Sequence, residues 1–369
     1  MKLRIATFNV ENLFTRPTAM AEGSGAEGQQ AIDDHAILNA IISKDAYTAE
    51  DKAELLRLDK RYRFSALNPP SNALVQLQKV RGVLFSRSNS TGQVTVKANG
   101  RDDWTGWFEL RRSDVSWQAI YNTGRVIAES NPDILICVEA ENRPTLVRFN
   151  DQVLDAEFKK RYPHAMVIDG NDERGIDVGI MSRYPIDGMR SHVDARVDGN
   201  AVFSRYCPEC VIALPNGEQF VVIPNHFKSK RGGDGGAAQA RRLLQGETAA
   251  GIARHAEKHT SKYVLVGGDL NDTPDSPAVQ PLFADGWQDV MSHASYPSSR
   301  PGTYDTGTKG NKIDYLVMSP ALWDCLQATD IERRGSYHPK TWLPFDTVKK
   351  KADEASDHHL VWADLEIGS

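Results

Sequence analysis

Short apolar runs bounded by polar residues recur along the chain and predict buried β-strands. The runs cover residues 3–8, 132–138, 207–214, 220–223 and 263–266. The third and fourth runs are joined through Asn216 and Gly217, and this pair predicts a hairpin because an Asn-Gly step favours a tight turn. The chain is therefore expected to contain extensive buried sheet.

Polar side chains stand at the ends of these runs or beside them. They are Asn9, Glu139, His226, Asp269, Asn271, Asp314, Asp357 and His358. Because Asp and Asn are ordinary turn formers, any one of these segments alone predicts only a loop. Together, carboxylates and amides carried by several strands are what a hard divalent cation and a phosphate ester require. The Gly267-Gly268 pair is further expected to make a sharp turn that lets Asp269 project at a sheet edge.

The order of these motifs resembles the endonuclease/exonuclease/phosphatase superfamily, which includes deoxyribonuclease I, abasic-site endonucleases, sphingomyelinases and inositol-polyphosphate phosphatases. The motifs are TFNVEN, PDILICVEAEN, RGIDVGIMSRYPI, NHFKSK, GGDLNDTP, KIDYLVMS and SDHH. The resemblance covers Met1 to about Asn12 and Asn122 to the end, and NHFKSK and GGDLNDTP are similar to bacterial nuclease-like members. Val138 stands where abasic-site enzymes carry glutamine, which argues against that activity. The fold implied is a four-layer α/β sandwich, with two mixed β-sheets packed face to face and helices outside.

The resemblance also implies a role for each matching residue. Glu139 matches the metal-binding glutamate, Asn9 an asparagine that helps to hold the metal and the scissile phosphate, and Asp357 a carboxylate near the metal. Asp269 matches the aspartate that orients or deprotonates the attacking water, and Asn271 the asparagine that stabilises the transition state. Asp314 and His358 match a carboxylate and imidazole pair, and His226 a second histidine of the deoxyribonuclease-like branch. Lys228 and Arg174, within the NHFKSK and RGIDVGI motifs, are expected to face the substrate phosphate.

The types of ligand available predict the metal. Oxygen donors from Asn, Asp and Glu, without a Cys or His cluster, suit Mg²⁺ or Mn²⁺. Cys207 and Cys210 form a CxxC pair, but a structural zinc needs four ligands and no second pair is present. On a strand, these two cysteines would point to opposite faces. A metal or redox role for them is therefore not expected.

The spread of the motifs predicts the domain organisation. Because they run from residue 9 to residue 358 and must converge, residues 1–369 are expected to form a single catalytic domain. Residues 15–115 contain none of the motifs and are expected to form an insertion. Helical spacing over 31–58 and about 73–85 predicts that this insertion is mostly helical, and we expect it to cap the substrate. Trp104 and Trp107, among arginines, would either stack nucleic-acid bases or pack in a core.

Composition limits the location and partners of the protein. A formal net charge of −5 excludes a surface that attracts nucleic acid everywhere. No run reaches the length of a membrane span, the N-terminus lacks the apolar core of an export signal, and four scattered cysteines fit reduced thiols. The expected location is the cytoplasm, and the sequence leaves the oligomeric state open.

Three classes of function remain open. The expected one is a divalent-metal-dependent phosphoesterase, a nuclease that hydrolyses DNA or RNA phosphodiester bonds by direct attack of an activated water. The alternative is a phosphatase or phosphodiesterase for a small-molecule or lipid head-group phosphate, since the same catalytic set serves both. A non-catalytic binding relative is the weakest class, because no metal or histidine position of the set is missing.

Overall fold

The structure is a computed structural model that describes residues 1–20, 24–172, 174–230, 235–297 and 300–368. The chain divides into two units. The main unit consists of Met1–Phe14 and Val115–Ser369, and the second unit, which we call the insertion, is Thr15–Asp114.

The strands of the described residues are numbered in chain order. They are β1 (Lys2–Asn9), β2 (Thr15–Pro17), β3 (Val75–Gly82), β4 (Phe85–Arg87), β5 (Val94–Val96), β6 (Trp104–Leu110), β7 (Arg112–Asp114), β8 (Ile134–Ala140), β9 (His164–Val167), β10 (Asp177–Ser182), β11 (Ile186–Ser191), β12 (Arg196–Val197), β13 (Asn200–Ala201), β14 (Pro208–Ala213), β15 (Gln219–His226), β16 (Val264–Asp269), β17 (Gln288–Asp289), β18 (Asp314–Met318), β19 (Leu326–Glu332) and β20 (Leu360–Glu366). The α-helices are α1 (Gly25–Ile42), α2 (Ala49–Tyr62), α3 (Trp117–Ser130), α4 (Arg143–Phe149), α5 (Ala156–Phe158), α6 (Gly236–His259) and α7 (Pro320–Trp323). A π-helical segment, Asn150–Asp155, joins α4 to α5.

Two six-stranded sheets form the centre of the main unit. Their strand orders are β19-β20-β1-β8-β10-β9 and β11-β14-β15-β16-β18-β17. Both are mixed, because β1 pairs in parallel with β8 and β15 with β16, while the other pairs in these sheets are antiparallel. The predicted hairpin through Asn216 and Gly217 is confirmed as the antiparallel pair β14 and β15.

The two sheets pack face to face through one apolar cluster. Ile5 and Ile136 of the first sheet share this cluster with Val222 and Leu265 of the second, and all are buried. Successive residues of a strand point to opposite faces, so neighbouring side chains such as Phe8 face outward into other clusters. Burial on both faces explains why these strands read as nearly continuous apolar runs.

Helices cover the outer faces of both sheets. Ile127 of α3 and Leu146 of α4 join the cluster on the first sheet, and small residues of α6, such as Ala253, join the cluster on the second. Helix α3 begins where the Ser116 hydroxyl accepts a hydrogen bond from the backbone of Ala119. The predicted four-layer α/β sandwich is confirmed.

Cys207 and Cys210 point to opposite faces of their sheet, as expected, because both are buried and they belong to different apolar clusters. Among the described residues, no helix is both long and apolar enough to cross a membrane.

The insertion is only partly as predicted. Its first half is helical, but the expected span 31–58 is broken between α1 and α2, where Thr48 and Asp51 form a capping box that starts α2. The helix predicted over about 73–85 is wrong, because that segment contains β3, which pairs with β6. Strands β2 and β7, and β4 and β5, form two further pairs, so strands predominate in the second half of the insertion, whose one described helical element is the 3-10 turn Arg101–Asp103.

Long-range pairing explains the error. Leu77 of β3 faces Phe108 of β6 in the core of the insertion, whereas Gln78 lies opposite the exposed Trp107. This alternation has the period of a strand, but in the sequence it is mixed with apolar residues at helical spacing. Residues 75–82 form a strand because they pair with β6, about 30 residues further along the chain.

Candidate active site

Strand ends bring most of the predicted residues together. His226, at the end of β15, is the register partner of Asp269 at the end of β16, and Asp269 in turn lies opposite Asp314 at the start of β18. Asn9, at the end of β1, lies beside β8, the strand that carries Glu139. The site is thus built from residues whose backbone positions are set by sheet pairing in both sheets.

Gly268 is required for this alignment. Its φ is +131°, and a Cβ there would lie 1.9 Å from the carbonyl oxygen of Asn225 on β15. A side chain at this position would therefore force β15 and β16 apart. The predicted sharp turn is wrong, because Gly267 and Gly268 both lie within β16.

Glu139 reaches the site through a β-bulge. The register between β10 and β8 shifts so that Asp177 lies opposite Ala140 and Val178 opposite Val138, which leaves Glu139 as the extra residue. Glu139 has a φ of +65°, a left-handed conformation that is uncommon for residues other than glycine. Bulges redirect side chains, and such strain is concentrated at functional sites.

One carboxylate oxygen lies at the centre of the cluster. Oδ2 of Asp269 is 3.0 Å from the side-chain nitrogen of Asn271, 3.3 Å from that of Asn9, 3.5 Å from Nε2 of His226 and 3.9 Å from Nε2 of His358. Oδ1 accepts a hydrogen bond of 2.8 Å from the backbone of Asn271. Burial, followed by the nearby carboxylate of Asp314, raises the pKa of Asp269 to about 7.

His358 and Asp314 form a buried pair. Nδ1 of His358 lies 2.9 and 3.1 Å from the two carboxylate oxygens of Asp314. Burial lowers the pKa of His358, but the charges of Asp314 and Asp269 outweigh it and hold this pKa well above its ordinary value. The imidazole is therefore a cation that donates through Nδ1 to Asp314 and directs its second N–H, at Nε2, towards Asp269.

His226, unlike His358, is neutral. Burial, followed by the positive charges of Arg205 and Arg174, lowers the pKa of His226 well below its ordinary value, so the ring is neutral. Nε2 lies 3.8 Å from Glu139 and 3.5 Å from Asp269, while Nδ1 has no hydrogen-bond partner among the described residues. Because acceptors face Nε2, the proton of the neutral ring belongs on that nitrogen.

Two arginines lie next to the site, and only one of them was expected there. Asp172 binds both, at 2.5 Å to Arg174 and 2.9 Å to Arg205. Burial would raise the pKa of Asp172, but these two charges lower it to about 2. Arg205, which the sequence marks only as one charge near an apolar run, is fully buried and also donates to the carbonyl of Phe227.

The expected phosphate ligands Arg174 and Lys228 occupy this same region. Burial lowers the pKa of Arg174, but the hydrogen bond to Asp172 and the charges of Asp172 and Glu139 outweigh it and raise this pKa. Lys228 is half-buried, and burial, followed by repulsion from Arg205 and Arg174, lowers its pKa. Positive charges therefore act on both Glu139 and His226.

The oxygen donors present fit a hard divalent cation. Glu139 and Asp357 are partly exposed, and Oδ1 of Asp357 lies 4.0 Å from Nε2 of His358. Donor atoms of Asp269, Asp314 and His358 also lie within 4.8 Å of one another. Asp314 is engaged by His358, and Oδ1 of Asn9 accepts a hydrogen bond from the backbone of Glu11, so the partly exposed carboxylates of Glu139 and Asp357 are the more available oxygen donors.

Two further residues support the site: Tyr304 lies in none of the motifs, and Ser356 is the first residue of the SDHH motif but was assigned no role. The ring of Tyr304 lies 4.9 Å from that of His358, and the two residues form an isolated β-bridge. The Ser356 hydroxyl donates to the carbonyl of Asn9 and accepts from the backbone of His358. Ser356 thereby links β1 to the segment that carries His358.

The fold is an α/β sandwich in which strands of both six-stranded sheets contribute residues to one polar cluster. The sequence model of the endonuclease/exonuclease/phosphatase family matches residues 121–358, and the chain belongs to this family. Members of the family are phosphoesterase hydrolases that generally depend on a divalent metal.

Several solved structures are similar to the chain. An endonuclease/exonuclease/phosphatase family protein from Bacteroides thetaiotaomicron is 15% identical, with a TM-score of 0.51 over 66% of this chain and 85% of that chain. Truncated Caenorhabditis elegans TDP2 is 17% identical, with a TM-score of 0.48 over 68% of this chain and 91% of that chain. A mannosyl-6-phosphatase from Bacteroides thetaiotaomicron is 15% identical, with a TM-score of 0.49 over 67% and 90%. No curated protein has a significant sequence match to the chain.

Proposed function

We propose that this protein is a divalent-metal-dependent nuclease that hydrolyses phosphodiester bonds of DNA or RNA by direct attack of an activated water. The observation that carries this function is the convergence of four side-chain nitrogens on Oδ2 of Asp269. Such a cluster of donors around one buried carboxylate holds a base in place and supplies hydrogen bonds to a developing negative charge.

Asp269 is the group that accepts the proton of the attacking water. The water oxygen bonds to phosphorus, its proton moves to Oδ2 of Asp269, and the bond to the leaving oxygen breaks, with that oxygen taking a proton from solvent. The two hydrogen bonds from Asn271 fix the plane of the carboxylate. The base is therefore oriented before the substrate arrives, which lowers the cost of reaching the transition state.

His358 and Asn271 stabilise the charge that develops on the phosphate. His358, held as a cation by Asp314, donates through Nε2 to a non-bridging oxygen. The amide of Asn271 and the neutral His226 provide further donors, while Lys228 and Arg174 attract the anionic substrate. Each of these groups acts most strongly when the negative charge is greatest, in the transition state.

Glu139, Asn9 and Asp357 would hold the divalent cation, with Mg²⁺ or Mn²⁺ the best fit to oxygen ligands. Bound there, the cation would neutralise charge on the phosphate and favour the ionised form of neighbouring carboxylates. The bulge that redirects Glu139 is the backbone feature that supports this role.

A substrate panel tests the proposed function. The full chain would be assayed on plasmid, linear duplex, single-stranded DNA, RNA, bis-p-nitrophenyl phosphate and p-nitrophenyl phosphate, each with Mg²⁺, Mn²⁺ or chelator. Cleavage of polymers and of the diester, without cleavage of the monoester, is expected. Cleavage of the monoester alone would overturn the nuclease in favour of a phosphatase, and no hydrolysis of any substrate would point to a non-catalytic relative. The Asp269→Asn variant, prepared in parallel, controls for contaminating nucleases.

A further inference from the structure

A segment of the insertion has an unusual distribution of charge. Residues 60–101 contain eight Lys or Arg residues and no Asp or Glu, in a chain whose formal net charge is −5. Seven of the eight are exposed, and the exception is the half-buried Arg101. A run of one sign on an acidic protein is typical of a surface that binds a polyanion.

The structure gathers part of this charge in one cleft. The end of α2 and the hairpin of β4 and β5 border an open cleft of about 350 Å³. Lys60, Arg63 and Arg87 line this cleft, which we call the basic cleft. Among the described residues, the side chains of these three make no hydrogen bond or ion pair.

The carboxylate of Asp59 does not neutralise the positive charge of the basic cleft. Asp59 also lines the cleft, but its two carboxylate oxygens accept hydrogen bonds of 2.7 Å from the backbone and the hydroxyl of Ser65. Three cations thus face a space in which the single carboxylate is already engaged. An anion with several oxygens is the ligand that such a cleft attracts.

Ordinary structural roles do not account for all three cations. Lys60 lies in the last turn of α2, where a positive charge offsets the helix dipole. Arg63 lies beyond that turn in the left-handed conformation, with a φ of +61°, where glycine is the usual residue. Arg87 comes from a different element, at the end of β4 opposite Val94. Their convergence is therefore not a consequence of helix capping.

We propose, on the basis of the nuclease function proposed above, that the basic cleft binds the phosphate backbone of a nucleic acid outside the catalytic residues. Backbone phosphates spaced along a strand match several cations that come from separate elements. Contacts of this kind add affinity without reading the base sequence. The insertion thereby serves as a second point of attachment for a polymeric substrate.

Binding of labelled oligonucleotides tests this role. In the full chain with Asp269→Asn, which prevents cleavage, the triple variant Lys60→Gln, Arg63→Gln, Arg87→Gln is compared with the control Lys2→Gln, Lys159→Gln, Lys258→Gln. The control removes three exposed charges from the main unit. Loss of three phosphate contacts should make the slope of log K against log salt shallower by about 2 for single-stranded DNA. The control variant should change the slope far less, and equal slopes in the two variants would overturn the proposal.

A single substitution excludes misfolding as the cause. Arg63→Gly removes one cation at a position where glycine adopts the backbone conformation without strain, so the melting temperature should stay the same or rise. The slope of log K against log salt for single-stranded DNA should nevertheless become shallower by about 0.7. An unchanged slope in Arg63→Gly, together with an unchanged slope in the triple variant, would show that the cleft does not contact phosphates.

Two further measurements separate this role from other outcomes. With Asp269 restored, the triple variant should hydrolyse bis-p-nitrophenyl phosphate at the normal rate, since this diester is too small to need the cleft. If wild-type protein binds oligonucleotides through the basic cleft without hydrolysing this diester, that result would contradict the proposed nuclease activity and would support the proposed binding of phosphates in the basic cleft. If vesicles of phosphatidylserine and phosphatidylcholine bind through the same three residues and oligonucleotides do not, the proposed partner is wrong.

Discussion

His226 and Asp269 are register partners at the ends of two parallel strands, and Nε2 of the imidazole lies 3.5 Å from Oδ2 of the carboxylate. Their separation is set by the pairing of β15 with β16, which Gly268 permits. Side chains fixed by a sheet lose little freedom when a substrate binds, so the donors around Asp269 are preorganised.

The first prediction concerns the metal ligand. Glu139→Gln removes a charged oxygen donor and should reduce both Mn²⁺ affinity, measured by calorimetry, and activity by orders of magnitude. The matched control is Glu141→Gln, two residues along, because Glu141 accepts hydrogen bonds from the backbones of Leu13 and Phe14. The control should lose stability and keep its affinity for Mn²⁺. Wild-type affinity in Glu139→Gln would remove Glu139 from the metal site.

The second prediction separates two neighbouring histidines. His358→Ala should lower kcat about 10²–10³-fold with little change in KM, since its donor acts in the transition state. His359 instead makes buried contacts with the Ser336 hydroxyl and the carbonyl of Asp305. His359→Ala should therefore lower the free energy of unfolding by about 1–3 kcal/mol and leave the folded enzyme substantially active. Steady-state kinetics of both variants measure kcat and KM, and urea unfolding measures the free energy of unfolding. A normal kcat in His358→Ala would contradict the proposed role of His358.

The third prediction distinguishes two tryptophans that the sequence could not tell apart. Trp104 is buried in the core of the insertion and donates to the hydroxyl of Tyr47, whereas Trp107 is 46% exposed. Trp104→Ala should destabilise the protein by about 3–5 kcal/mol. Trp107→Ala should change stability by less than about 0.5 kcal/mol. Equal losses in denaturant unfolding would show that both are core residues.

Much of the fold could be predicted because buried strands are recognisable in the sequence as apolar runs. The residues that follow these runs, such as Asn9 and Asp269, could be placed at one site since strand ends meet at a sheet edge. The bulge at Glu139 was not predictable, because a left-handed conformation at a glutamate leaves no trace in the sequence. The ion pair between Asp172 and Arg205 depends on a contact between distant parts of the chain. Strand β3 was mistaken for a helix for the same reason.

The fourth prediction concerns pH and stability. The pKa of Asp172 is lowered to about 2 in the folded protein from 3.8, so its charged form stabilises the fold. This stabilisation, about 2 kcal/mol, is present above pH 4 and is lost as pH falls towards 2, with roughly half remaining at pH 3. The difference in unfolding free energy between wild type and Asp172→Asn should shrink accordingly between pH 7 and pH 3. A difference that stays constant with pH would show that the pKa of Asp172 is not lowered.

Hydrolysis of bis-p-nitrophenyl phosphate by wild type and by Asp269→Asn, each with Mg²⁺ and with chelator, tests the central claim most directly. We expect wild type to turn over only with the metal, and Asp269→Asn to lose at least about 10²-fold in kcat while keeping its fold, because the base is gone. Equal rates in the two proteins, or full activity of wild type in chelator, would contradict a metal-dependent site centred on Asp269.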